Sequence, residues 1–266
     1  MIYITGDTHS DFQRFTKMNF PEQKEMDKTD HVIICGDFGG VWYPSMNSAD
    51  SANSRYFKYC KAENHNLNEL DSRSFTTLFI PGNHENYDRL MSDEFPTVDY
   101  CGGKVKQIRS SIYMLMRGEM YTIDDMKIFT FGGAASHDIS DGLLDVADPN
   151  WKKKAKKLDS EGKYMYRIKG LSWWAEEMPN EEEMAHGLET LERYNWKCDF
   201  VVTHCAPSST QTLLSHRMYK PDTLTAYLEE IRCKLSYKKW FFGHYHDNHA
   251  VNDKEILLYE QIIRIR

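Results

Sequence analysis

Six short apolar runs in this chain end in a similar way, and that shared ending constrains the fold more than any other feature. The runs are MIYIT (1–5), HVIIC (31–35), TTLFI (76–80), KIFTF (127–131), DFVVT (199–203) and KWFFG (239–243). Their length and their content of β-branched and aromatic residues are those of buried strands. They are followed by Gly6-Asp7, Gly36-Asp37, Pro81-Gly82-Asn83-His84, Gly132-Gly133, His204, and His244 with His246. Five of the six therefore release a side chain able to bind a metal, most of them just after a glycine. In open α/β sheets, ligands bind beyond the carboxyl ends of the strands. Glycine lets the backbone turn sharply there. Asp, His and Asn delivered to the same end of several strands can surround one point.

After the first three runs come DFQRFTKM (11–18), the polar stretch 50–73 and ENYDRLMSDEF (85–95), each expected as a helix. That βαβ rhythm predicts a mainly parallel sheet in the N-terminal half. Residues 104–131 read instead as an antiparallel meander: KVKQI, IYMLM, MYTI and KIFTF alternate with short polar turns. An α/β architecture with either two sheets or one mixed sheet follows. Asn180, with Glu181, Glu182 and Glu183 behind it, has the chemistry of a helix start. At 266 residues the chain is near the upper size of one domain. It carries no repeat, low-complexity linker or evident boundary, so 1–266 is expected as a single domain. The irregular 134–197 would be a lid-like or substrate-side elaboration of it.

The net charge of −7 lowers the expectation of a duplex-gripping protein, which is usually basic at least locally. Nothing in the sequence is long and apolar enough for a membrane span. MIYITGDTHS opens without a basic region or a small-residue cleavage site. The six cysteines are scattered and form no C-x-x-C pair, which suits free thiols in the cytoplasm.

Each strand-end motif is weak alone, since D-x-H is common by chance. The ordered set is specific: DTH (7–9), GD (36–37), GNHE (82–85), a lone His204 and GHYH (243–246). In order and chemistry it resembles the calcineurin-like metallophosphoesterase superfamily, with motifs spread from residue 6 to residue 246. GGAASHD (132–138) and SWWAEEM (172–178) look like a bacterial subgroup whose substrates are mostly undefined.

The resemblance implies an α/β sandwich of two mixed β-sheets flanked by helices. It implies that Asp7, His9 and His246 hold one divalent metal, that Asn83, His204 and His244 hold a second, and that Asp37 bridges them. A hydroxide between the metals would attack phosphorus. His84 would protonate the leaving group as general acid, with Glu85 orienting it, and Asn83 and His84 would also bind substrate. Two cations can clamp both oxygens of an in-line displacement and generate hydroxide at neutral pH. Mixed imidazole, carboxylate and amide donors suit manganese first, with iron or zinc as alternatives.

The reaction expected is hydrolysis of a phosphorylated small molecule, as a phosphomonoesterase or a small-molecule phosphodiesterase. The second motif reads GDFGGVW, whereas phosphoprotein phosphatases of the superfamily carry G-D-x-x-D-R-G. Their phosphate-binding Arg is therefore absent, unless Arg109 or Arg167 replaces it. A nuclease is the alternative, weakened by the net charge of −7. So is a non-catalytic scaffold, weakened because every ligand position is filled.

Other residues divide between two readings. Asp11 either supports the metal ligands or caps a helix. His137 and Asp138 either line the substrate pocket or sit on a surface loop. Trp173 and Trp174 are expected in the core more than in an aromatic wall. The lysines of WKKKAKK (151–157) fit a solvated helix face better than a polyanion site. His249 lies beyond the last motif and is expected as a bystander.

Overall fold

The computed structural model describes residues 1–45, 54–214 and 219–266. All six apolar runs form strands. In chain order the strands are β1 (Ile2–Thr5), β2 (His31–Ile34), β3 (Thr76–Phe79), β4 (Thr97–Tyr100), β5 (Gly103–Arg109), β6 (Ile112–Leu115), β7 (Glu119–Ile123) and β8 (Met126–Phe131). They continue with β9 (Gly142–Asp145), β10 (Tyr166–Lys169), β11 (Phe200–Thr203), β12 (Lys239–Phe242), β13 (His249–Ala250), β14 (Glu255–Leu257) and β15 (Ile262–Arg264). The α-helices are α1 (Ser54–Asp71), α2 (Tyr87–Leu90), α3 (Trp151–Ser160), α4 (Glu181–Arg193), α5 (Ser208–Leu214) and α6 (Thr223–Lys234).

Among the described residues, two large mixed sheets form. One has the order β15-β1-β2-β3-β6-β5-β4 and the other β13-β14-β12-β11-β8-β7. β1, β2 and β3 run parallel in the first sheet, and β8, β11 and β12 run parallel in the second. Alternation along each strand buries both faces, which is why the runs read as continuous apolar segments. Ile2, Ile4, Ile33, Leu78, Ile128, Val202 and Phe241 meet in one inner cluster. Tyr3, Val32, Ile34 and Phe79 turn the other way, against Leu67 and Leu70 of α1. Phe129, Phe131, Val201, Trp240 and Phe242 likewise pack against Leu191 of α4 and Leu224, Leu228 and Ile231 of α6.

Three local expectations need correction. Residues 11–18 form only a 3-10 turn, Gln13–Phe15. The Asn19 amide donates to the Gln13 carbonyl, and Thr16 is extended, so no α-ladder can propagate. The helix expected over 85–95 is the single turn α2, because the Ser92 hydroxyl bonds the Arg89 carbonyl and stops it. The meander over 104–131 is split between sheets: β5–β6 is a hairpin in the first and β7–β8 a hairpin in the second. Tyr121 joins the two, its hydroxyl accepting from the Met116 amide and donating to the Lys104 carbonyl.

The stretch expected as a helix over 50–73 is α1, with residues 50–53 outside the described residues. Residues 134–197 contribute the parallel pair β9–β10 and the helices α3 and α4. Asn180 caps α4 in a reciprocal capping box with Glu183. Lys152, Lys153, Lys154, Lys156 and Lys157 are exposed on α3, a solvated face. No helix among the described residues is long and apolar enough to cross a membrane.

Candidate metal centre

Because the parallel strands of both sheets point their carboxyl ends the same way, their following loops converge. The ligating atoms of Asp7, His9, Asp37 and His246 lie within 4.8 Å of one another, as do those of Asp37, His204 and His244. Asp37 belongs to both groups. Asn83 joins the second: its Oδ1 is 3.3 Å from His204 Nε2. The structure thus brings together all seven residues expected as metal ligands.

The loops reach these positions through left-handed backbone. His9, Asp37, His244 and His246 all adopt positive φ, a region uncommon for non-glycine residues but tolerated better by Asp and His. Two of the glycines are required by close approach. A Cβ on Gly243 would lie 2.0 Å from Asp7 Oδ1, and one on Gly82 would lie 2.1 Å from Asp37 Oδ1. Backbone amides then aim the carboxylates. The His244 amide donates to Asp7, and the His84 amide donates to Asp37 Oδ1 at 2.8 Å. Arg14 anchors the β1 end by donating to the Asp7 and Gly6 carbonyls.

Electrostatics in the cluster follow from burial and from the Asp–His pairs. Burial raises the Asp37 carboxyl, but His204, His84 and His9 outweigh it and hold the group well below the usual carboxylate range. Burial lowers His204, yet Asp37 and Asp7 lift it to about 9. His246 is raised by its contact with Asp7, 3.3 Å away. His9 and His244 are lowered, chiefly by burial. His204 Nδ1 faces the Cys35 carbonyl at 2.8 Å, which leaves Nε2 aimed at Asp37 and Asn83. A backbone partner on one imidazole nitrogen commonly fixes the other as a metal ligand. Buried carboxylates, an amide oxygen and imidazoles converging from five strand ends form a donor set that fits divalent cations.

His84 lies beside the cluster, its ring edge-on to His9 at 4.8 Å and stacked against Trp42 at 5.9 Å. Its Nε2 is 2.8 Å from Arg167 Nη2. A guanidinium can only donate, so this Nε2 is the acceptor. Burial, opposed by Asp37 and reinforced by Arg167, holds the imidazole down to about 4. Arg167 is buried, donates to the Asn83 and Ser172 carbonyls, and pairs with Asp138 at 2.6 Å. Arg109 is elsewhere, bound to Asn64 and Asn68 on α1.

One expected role is corrected. Glu85 does not orient His84. The Glu85 carboxylate accepts from the Phe38 and Gly39 amides. It braces the loop that carries Asp37. Burial and Asp37 push its carboxyl well up.

Of the residues with two readings, Asp11 is exposed and accepts from the Gln13 amide just ahead of the 3-10 turn, whose N-cap position is Phe12. Trp174 is buried, edge-on to Trp42 at 5.5 Å. Trp173 donates to Glu177, which also binds the amide and hydroxyl of Ser136. Ser136 in turn sits 3.5 Å from the Asn83 amide. The SWWAEEM motif therefore reaches an expected metal ligand through one intermediate. Asp138 lies at the site beside Arg167, and His137 faces His244 with 3.0 Å between their Nε2 atoms. His249 is exposed on β13, outside the cluster.

Trp42 was not singled out by the sequence, although it lies five residues after Asp37. Only its tertiary contact with His84 distinguishes it from a core aromatic. The loop bearing it is held by Glu63, whose buried carboxylate accepts from the Trp42 and Tyr43 amides and pairs with Arg89. Glu63→Ala leaves both amides without this acceptor and removes one of the two carboxylates on Arg89, Glu94 being the other. It is expected to cost about 2 kcal/mol of unfolding free energy, measured by denaturant titration.

A family model described as calcineurin-like phosphoesterase matches residues 1–248. A search of curated proteins finds no match.

Proposed function

Since the chain belongs to the calcineurin-like phosphoesterase family, whose members are metal-dependent hydrolases of phosphoesters, we propose that it hydrolyses a phosphoester of a small molecule. The convergence of Asp7, His9, Asp37, His204, His244 and His246 beside an arginine-bound histidine carries this reading. Asp7, His9 and His246 would hold one divalent ion and Asn83, His204 and His244 the other, with Asp37 shared. Manganese is the first choice, with iron or zinc also compatible with the donors. When bound, such a pair acidifies water at neutral pH and offsets the charge that develops on phosphoryl oxygens.

The remaining steps belong to the protein's own side chains. Arg167 is the one arginine of the two considered that reaches the site, and its fork suits a phosphoryl group. In this reading the incoming phosphate draws the guanidinium onto itself. His84 Nε2, no longer bound to the guanidinium, can then take up a proton from solvent and pass it to the departing oxygen. Trp42 keeps the imidazole ring in plane by stacking. Residues 134–197, which supply Arg167, Asp138 and Ser136, act as the substrate side of a single domain.

Two clefts flank His9. One, of about 220 Å³, is lined by Trp42, Tyr43 and His84; the other, of about 410 Å³, runs past Phe12 to Arg73. A diester carries a substituent on each side of phosphorus, so the paired clefts favour a small-molecule phosphodiester over a monoester. Net charge of −7 argues against a nucleic-acid polymer. The six cysteines are free thiols, in keeping with work in the cytoplasm.

The test is metal analysis of the purified chain, with turnover of mono- and bis-(p-nitrophenyl) phosphate under Mn²⁺, Fe²⁺ and Zn²⁺. Faster turnover of the bis-ester is expected. A preference for the mono-ester would reverse the diester assignment, and inertness toward both with metal bound would favour a scaffold.

A further inference from the structure

His137 is exposed at the mouth of the site, in the loop after β8 that opens residues 134–197. It lies outside the seven residues assigned to the metals. Its Nε2 nevertheless stands 3.0 Å from Nε2 of His244. Two neutral imidazoles can share one proton at that distance, but two lone pairs facing one another also mark a gap that a cation fills. The same chain supplies a comparison. His9 and His246, both in the Asp7–Asp37 group, have their Nε2 atoms 3.0 Å apart as well. The two pairs match in atom type and spacing, although only the His9–His246 pair lies wholly within a cluster whose ligating atoms are all within 4.8 Å of one another.

The position of His137 is also held. Its ring stacks on Tyr219 at 4.5 Å with planes 17° apart. The next residue, Asp138, is tied to buried Arg167, and the preceding one, Ser136, is fixed by Glu177. A loop pinned on both sides of one histidine presents that imidazole in a restricted set of directions, as an effective ligand must be presented.

We propose that His137 is an additional ligand of the second metal position, joining Asp37, Asn83, His204 and His244. This rests on the dinuclear reading above. The two positions would then differ in kind. The first has two carboxylates and two imidazoles, from Asp7, Asp37, His9 and His246. The second has three imidazoles, one carboxylate and one amide oxygen. A nitrogen-rich set of this sort favours the later first-row ions, Zn²⁺ or Co²⁺ over Mn²⁺. The chain would then select a different ion at each position, and residues 134–197 would complete a metal site as well as cover the substrate.

Competition with a chromophoric chelator, run with Zn²⁺ and with Co²⁺, tests this without reference to turnover. The wild-type chain is expected to hold two ions. His137→Ala and His137→Gln should each weaken one of them by ~10-fold or more and leave the other unchanged. Loss of the weaker ion should also alter the visible absorption of the Co²⁺-loaded chain. His249→Ala, an exposed histidine outside the cluster, serves as control. Because His137 is itself exposed, circular dichroism should show both variants folded. Two ions held as tightly in both variants as in wild type would overturn the role of His137 alone. A wild-type chain that takes up no ion would overturn the dinuclear reading together with it.

Discussion

Asp37→Ala is expected to lower kcat by at least ~10²-fold, about 2.7 kcal/mol of barrier, and to reduce the bound metal by at least one ion per chain. Among the described residues, Asp37 is the only side chain whose carboxylate belongs to both groups. It is also almost fully buried, with His204 Nε2 3.2 Å from one oxygen and His9 Nε2 3.7 Å from the other. The neighbouring carboxylate, Asp7, is already held by the His244 amide. Asp37→Asn keeps the shape and an amide oxygen but not the charge, so it should retain more metal than the alanine variant. Metal analysis beside steady-state rates checks both. Wild-type rates in Asp37→Ala would remove the dinuclear mechanism.

The second large effect concerns His84 and Arg167 together. Each alone, changed to Ala, should cost ~10²-fold or more in kcat/KM, one by losing proton transfer and the other by losing a charged donor to the phosphoryl group. The two side chains touch at 2.8 Å, so their effects should not add. The double variant should cost clearly less than the product of the single losses. Arg167→Lys keeps the charge without the fork and should recover only part of the rate. A substrate with a good leaving group such as p-nitrophenolate needs little protonation. It should therefore rescue His84→Ala more than Arg167→Ala. Equal losses on good and poor leaving groups in His84→Ala would rule out its role as acid.

Much of this site is legible in one dimension because its ligands follow strands. A strand's carboxyl end is a point the sequence marks twice, by the end of an apolar run and by the glycine that lets the chain turn. Gly243 before His244 and Gly82 before Asn83 are examples, and in both the space for a Cβ is taken by a ligand carboxylate. Helices were less legible. DFQRFTKM has the composition of a helix, but the side chain of Asn19 competes for a backbone carbonyl and wins.

Glu85 shows the limit of motif reading at the site. The resemblance implied that Glu85 orients His84, yet the chain bends through 83–85 and the carboxylate serves the Asp37 loop instead. Arg167 and His137 lie far in sequence from the residues they meet. Arg167 is 83 positions from His84, and His137 is 107 from His244. No periodicity or spacing links such pairs, since packing of the 134–197 segment over the strand ends is what brings them together.

By itself, then, the sequence determined the six strands, the α/β class, the family and the seven polar residues that converge beyond the strand ends, because each is encoded locally by an apolar run and a polar residue after it, in most cases across a glycine. Only the tertiary structure decided how the meander divides between sheets, which arginine reaches His84, where Glu85 turns and what His137 faces. Those outcomes depend on contacts between segments distant in the chain, which local propensity does not encode and closure of the two sheets fixes.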